Sequence, residues 1–159
     1  MEIDYFSAKQ NPSSWYDQAD FTTVKDWLGS ELECPACGRT HKISTRLMEE
    51  REDMAAHIGE YLPQLGLSGS CVVVMDDNTR RAAGSKLLAG LAEYAPREVV
   101  FTRDDLHADE EALGSLLMAL GEKPDFLVAC GSGTITDITR YNSYMTGIPF
   151  ISYATAASV

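Results

Sequence analysis

The chain has 159 residues, 45% hydrophobic and 23% charged, with a formal net charge of −11. These values fit one globular domain with room for a real core. The acidity excludes nucleic acid and anionic membrane surfaces as main partners, because both require basic surface. No apolar run approaches the ~20 residues of a membrane span. An anionic cofactor stays possible, since backbone dipoles and a few side chains hold it locally.

The N-terminus, Met1-Glu2-Ile3-Asp4, is acidic and carries no signal-peptide pattern. The cysteines are Cys34, Cys37, Cys71 and Cys130. Two sit in strand patterns and two in a Cys-x-x-Cys pair, which does not read as a secreted disulfide framework. A cytoplasmic protein is expected. Residues 1–33 contain Trp15, Tyr16, Phe21, Trp27 and Leu28 but sustain no period. They are expected to form a leader with one or two short helices packed on the main body. Cys34, Cys37 and His41 then offer three potential zinc donors at usable spacing. Structural zinc takes four ligands, so His57 or another chain has to supply the last. A plain turn and a redox pair are the competing readings. Leu47, Met48, Met54, Ala55, Ile58, Tyr61 and Leu62 predict a helix that Pro63 and Gly66 end. The leader is therefore assigned to 1–66 and the main domain to 67–159.

From Cys71 the rhythm becomes regular. Apolar runs at 71–75, 98–102, 126–130 and 148–153 predict strands. Apolar residues at helical spacing predict helices over 79–94, 109–120 and 135–146. The leucines at 113–120 belong to the core, and His107 sits solvated in an acidic loop. Continuous apolar strands separated by helices indicate a parallel sheet covered on both faces. The expected fold is therefore α/β, an open doubly wound, mostly parallel, Rossmann-like sheet behind a short helical leader. Ligands in such sheets bind beyond the carboxyl ends of the strands.

Three polar or glycine-rich tips fall on that edge: Asp76-Asp77-Asn78, Gly131-Ser132-Gly133-Thr134, and Ala154 to Ser158. In the second, a buried strand runs through a glycine turn into a helix. N–H groups at such a helix start lack intrahelical partners and sit at the positive end of the dipole, where they can hold a phosphate. Glycine at 131 and 133 keeps side chains out of a phosphate's approach. The competing reading is a purely structural turn.

Asp76-x-Asn78-Thr79, Gly131-Ser-Gly-Thr-Ile-Thr-Asp137, Gly147-Ile-Pro149 and Thr155-Ala-Ala-Ser158 together resemble the sn-glycerol-1-phosphate dehydrogenase family. That family sits with the metal-dependent polyol dehydrogenases and 3-dehydroquinate synthase. The resemblance covers 71–159 and extends weakly to Cys37-Gly38 and His41. It implies a nucleotide-binding domain that works with a C-terminal helical domain. The implied reaction reduces dihydroxyacetone phosphate with NADH or NADPH, with a divalent metal (zinc or nickel) polarising the carbonyl. The metal ligands of the family come from the helical domain and are expected beyond Val159. The chain is thus expected to be the cofactor half of an enzyme, inactive alone and prone to homo-oligomerisation.

The resemblance also assigns roles. Asp76, with Asn78 beside it, falls where the family binds adenosine ribose; a solvated strand end is the alternative. Gly131, Ser132, Gly133 and Thr134 fall on the pyrophosphate loop. Asp137 either reaches the nicotinamide end or complements the helix dipole. Thr155 and Ser158 lie near the cofactor or form a polar turn. The carboxylate of Asp76 repels a 2′-phosphate and favours NADH, whereas Arg80 and Arg81 leave NADPH open. A 3-dehydroquinate synthase-like enzyme and a standalone nucleotide-binding or interaction domain are the alternative functions.

Overall fold

The computed structural model describes residues 25–33 and 37–156. Of the leader expected to hold one or two short helices over 1–33, residues 1–24 lie outside the described residues, as do Cys34 and Ser158, and residues 31–33 form a strand. Backbone contacts divide the chain into Met1–Arg51 and Glu52–Val159, so the division falls ahead of the 66/67 boundary expected from the sequence.

In the first unit, β1 (Glu31–Glu33) and β2 (Thr40–Lys42) form an antiparallel hairpin. Glu31 pairs with Lys42, Leu32 with His41 and Glu33 with Thr40. A Glu31–Lys42 ion pair of 3.4 Å spans the open end, and Ile43 N–H donates to the Ser30 carbonyl at 2.9 Å. The helix expected over 47–62 does not begin until Met54. Between 46 and 53 only Leu47 and Met48 are apolar, so no stripe exists to bury there. Asp53 precedes the helix at φ 55°, a left-handed conformation that blocks its extension backwards.

The second unit is built on β3 (Cys71–Asp76). Val72 and Val74 point to one face and Cys71, Val73 and Met75 to the other, and all five are buried. A strand that is apolar on both faces needs cover on both. Parallel strands β4 (Arg97–Phe101), β5 (Phe126–Gly131) and β6 (Phe150–Ala154) complete the sheet in the order β4-β3-β5-β6. The doubly wound parallel architecture expected from the sequence is therefore present.

One face is covered by α1 (Met54–His57), a following 3-10 segment (Ile58–Tyr61) and the helical stretch after β3. That stretch starts as α2 (Asp77–Thr79), widens into a π turn (Arg80–Gly84) and continues as α3 (Ser85–Gly90). Ala55, Ile58, Leu62, Leu87 and Leu91 pack there on Val73, Met75, Phe126 and Val128. The opposite face carries α4 (Glu110–Leu120) and α5 (Gly133–Thr146). Ala112, Leu116, Leu120, Ile135 and Ile138 pack there on Val72, Val74, Leu127 and Ala129.

The crossing of α3 over the 54–61 segment depends on glycine. A Cβ at Gly90 would stand 2.1 Å from the Ala55 carbonyl oxygen, and one at Gly59 would stand 2.6 Å from the Gly90 oxygen. Gly→Ala in an exposed helix normally stabilises by about 0.5–1 kcal/mol. Here the sign reverses, because backbone rather than a flexible side chain fills the space. Gly90→Ala is expected to lower stability by about 1–3 kcal/mol, read from urea unfolding midpoints at unchanged m-value.

Candidate functional site at the strand tips

Pairing register sets the tips of all four strands level. Asp76 pairs with Phe101, Val74 with Ala129, and Gly131 with Ala154. Two residues beyond the Val74–Ala129 pair, Asp76 and Gly131 therefore end adjacent strands side by side. The chain leaves β3 towards β4 on one side and then returns to place β5 on the other. The crevice between Asp76 and Gly131 is thus the topological switch point, where open α/β sheets bind ligands.

The helices that start along this edge differ in how their N-termini are satisfied. Asp76 caps α2: its Oδ1 accepts from the Thr79 N–H at 2.7 Å, and Thr79 Oγ1 accepts from the Asp76 N–H at 3.0 Å. Asp109 caps α4, its Oδ1 accepting from the Ala112 N–H at 2.9 Å. That hydrogen bond, reinforced by Arg103 and opposed by desolvation, holds the Asp109 carboxyl below its ordinary value. Ser132 occupies the same position ahead of α5 and makes no side-chain capping bond. No acidic residue lies in the first turn of α5. Its first-turn N–H groups have neither a cap from Ser132 nor a neighbouring carboxylate on the helix, and they sit at the positive end of a fourteen-residue helix.

Gly131 has a structural role that the sequence did not reveal. A Cβ there would lie 2.5 Å from Ile135 Cβ and 2.8 Å from its Cγ1. Glycine at 131 lets α5 seat directly on the end of β5, whereas the sequence reading reserved that space for a phosphate. Gly133 is the first residue of α5 and is half-buried, as are Ser132 and Thr134. Across the tip, Thr155 N–H donates to the Gly131 carbonyl at 3.1 Å, tying the chain after β6 to the glycine turn.

Asp76, Gly131 to Thr134 and Thr155 are therefore brought to one edge. Asn78 is beside them but exposed, and its Oδ1 accepts from Arg81 Nη2. Asp137 is placed apart from the turn. It is the fifth residue of α5, exposed, and paired with Arg140 at 2.8 Å. It lines a groove of about 480 Å³ with Ala108, Leu113, Arg140, Tyr141 and Tyr144, between α4 and the exposed side of α5. A role in complementing the dipole in the first turn does not match this position.

The sequence motifs include Thr79 and Thr136 without giving either a role, and Ser152 belongs to no motif. Thr79 closes the cap on Asp76, and its signal was the Asp-x-x-Thr spacing directly after an apolar strand. Thr136 Oγ1 and Ser152 Oγ lie 3.4 Å apart and pin α5 to β6 behind the turn. No local pattern announces that pair. Cys71 and Cys130 are buried free thiols, as expected from their strands. Burial pushes both up to about 11, and the Asp76 charge adds to the rise at Cys130. Neither is a nucleophile at neutral pH. Among the described residues, no three His, Cys, Asp or Glu side chains cluster as a metal site, and no helix is long and apolar enough to cross a membrane.

The described features define a doubly wound, Rossmann-like α/β domain with an uncapped helix start at its switch point. Residues 50–159 match the iron-containing alcohol dehydrogenase family, and the chain belongs to that family. It is 42% identical over 143 residues to glycerol-1-phosphate dehydrogenase [NAD(P)+] of Bacillus licheniformis, covering 86% of this chain and 34% of the relative. The enzyme of that name from Methanothrix thermoacetophila is 38% identical over 104 residues, covering 65% of this chain and 29% of the relative. The chain thus spans about a third of the length of these curated relatives. In fold it is similar to the crystal structure of glycerol dehydrogenase from Schizosaccharomyces pombe, with TM-score 0.57 and 17% identity over 65% of this chain and 26% of that one.

The packing at Gly131 generates a direct test. Gly131→Ala is expected to lower the thermal midpoint, because Ile135 is held between β5 and the α5 backbone and has little room to yield. In an Ile135→Gly background, which removes the Cβ as well as the Cγ atoms that meet residue 131, Gly131→Ala should cost less, giving a non-additive double-mutant cycle.

Proposed function

We propose that this chain is the NAD(P)-binding domain of a glycerol-1-phosphate dehydrogenase-like oxidoreductase. The observation that carries the reading is the uncapped N-terminus of α5 beside Asp76 at the switch point. The names of the relatives support the same cofactor class. In this reading the N–H groups of the first turn of α5 hold the pyrophosphate, with the hydroxyls of Ser132 and Thr134 as further donors. Asp76 spends Oδ1 on its cap, which leaves Oδ2 for a ribose hydroxyl. Thr155 borders the same turn, and Ser158 follows outside the described residues.

When bound, the nicotinamide supplies a hydride to the carbonyl of a phosphorylated ketone, with dihydroxyacetone phosphate the substrate of the family reading. The described residues offer no cluster of three metal-ligating side chains, so no step here runs through a metal. The reading assigns metal and substrate chemistry to a helical domain outside this chain, in a homo-oligomeric cytoplasmic enzyme.

Titration of the chain with NADH, followed by calorimetry and by nicotinamide fluorescence, should give saturable binding. Gly133→Val places a branched side chain at the helix start and should abolish that binding while leaving circular dichroism and the thermal midpoint unchanged. Normal binding by a folded Gly133→Val chain would show that the phosphates sit elsewhere.

The cofactor preference follows from charge. Arg80 Nε is bound to Glu98 at 2.7 Å and Arg81 to Asn78, so both arginines already have partners, while this reading assigns the Asp76 carboxylate to the ribose. NADH is expected to bind more tightly than NADPH. Asp76→Asn keeps a good N-cap but removes the charge, and should narrow the gap between the two cofactors with little change in stability. An unchanged ratio would remove Asp76 from the ribose site.

A further inference from the structure

Among the described residues of the second unit, the exposed large apolar side chains all lie on α4 and α5: Leu117, Met118, Tyr141, Tyr144 and Met145. Tyr144 is 84% exposed and Met118 83%, so these side chains project into solvent. Single exposed apolar residues are ordinary, but a group of them on neighbouring helices marks an interaction surface. Tyrosine, methionine and arginine are also the residue types that interfaces enrich.

On α5 the exposed residues follow the spacing of a helix-pairing seam. Asp137, Arg140, Tyr141 and Tyr144 stand at i, i+3, i+4 and i+7. A carboxylate marks one end of this stripe and a projecting aromatic ring the other, two turns apart. Ala108 and Leu113 form with the stripe the groove of about 480 Å³. Asn142 Nδ2, donating to the Leu113 carbonyl at 3.2 Å, ties α5 to α4 behind it.

We propose that this face binds a second copy of this chain, α5 packing antiparallel on α5 about a two-fold axis between Arg140 and Tyr141. A two-fold interface requires a self-complementary surface, and in this register the stripe complements itself. Tyr144 of one copy falls opposite Asp137 of the other, where its hydroxyl donates to the carboxylate and its ring enters the groove. Arg140 falls opposite Tyr141 and lays its guanidinium on the ring. Asp137 and Arg140, 2.8 Å apart in each copy, make the stripe neutral, so two chains of net charge −11 meet there without opposing like charges. The helices have 11 and 14 residues, which makes them about 16 and 21 Å long, and neighbouring helices lie about 8–10 Å apart. The face is then about 20 Å square, about 400 Å² per copy before side-chain relief is counted, which suits a weak and reversible dimer. The inference names the surface of the homo-oligomer proposed above and rests on that part of the reading, but it uses none of the strand-tip residues.

Sedimentation equilibrium of the whole chain over a concentration series is expected to show monomer and dimer in reversible exchange, with a micromolar dissociation constant. Tyr144→Asp sets a carboxylate against Asp137 of the second copy and should weaken association by an order of magnitude or more. Asp137→Lys in that background should restore it, because the two substituted side chains then attract across the two-fold axis. Both positions are exposed, so circular dichroism should stay unchanged. A chain that remains monomeric into the hundreds of micromolar overturns the proposal and leaves the face to a different partner. Self-association that Tyr144→Asp leaves intact, or that Asp137→Lys does not restore, overturns it as well. NADH titration of the same samples keeps the two readings apart. A dimer that binds no NADH contradicts the cofactor site alone, and a monomer that binds NADH contradicts this interface alone.

Discussion

Seating α5 on the end of β5 is the constraint from which the rest of the site follows. At Gly131 the strand passes so close to Ile135 that no side chain fits between them. With that contact made, the axis of α5 is fixed relative to the sheet and its first turn opens at the strand edge. The Thr136–Ser152 contact and the bond from Thr155 N–H to the Gly131 carbonyl hold the neighbouring β6 tip to the same point. Close packing of this kind leaves few alternatives, because a shift of one methyl group is already felt in a well-packed core.

The electrostatics of the edge follow from how each helix start is satisfied. Asp76 and Asp109 neutralise the N-termini of α2 and α4 with their own carboxylates. Ser132 does not do so for α5. Under the proposed function, this helix start is where an anion finds N–H donors in a chain of net charge −11. Asp76 has two tasks in this account, closing the cap on Thr79 and presenting its second oxygen at the crevice. A solvated strand end, the bland reading of that residue, does not describe its two reciprocal hydrogen bonds.

Much of the fold could be read from the residues because its signals are local. β3 carries five consecutive buried apolar residues before Asp76, and α4 carries an apolar stripe through Ala112, Leu116 and Leu120. The Gly131-Ser-Gly-Thr turn fell between a strand and a helix as expected. Two features lay beyond local reading. Nothing in the sequence gives the order β4-β3-β5-β6, which depends on long-range pairing and alone identifies the crevice between Asp76 and Gly131 as the switch point. The late start of α1 turns on the left-handed Asp53 and on the lack of any apolar stripe before Met54. Within the site, Asp137 was grouped with the phosphate turn because it is near in sequence. Its fifth place in the helix turns it instead towards Arg140 and the groove beside α4. Gly131 was recognised as necessary, but for a ligand and not for Ile135.

The proposed cofactor site depends on the first-turn N–H groups of α5 as anion donors, and amide chemical-shift mapping observes those groups directly. Titration of the isotopically labelled chain with NADH is predicted to shift the amides of Ser132 to Ile135 most, followed by those of Asp76 to Thr79 and Thr155. Shifts centred instead on Ala108, Leu113, Arg140 and Tyr144, with the α5 start undisturbed, would place the nucleotide in the outer groove and contradict the account.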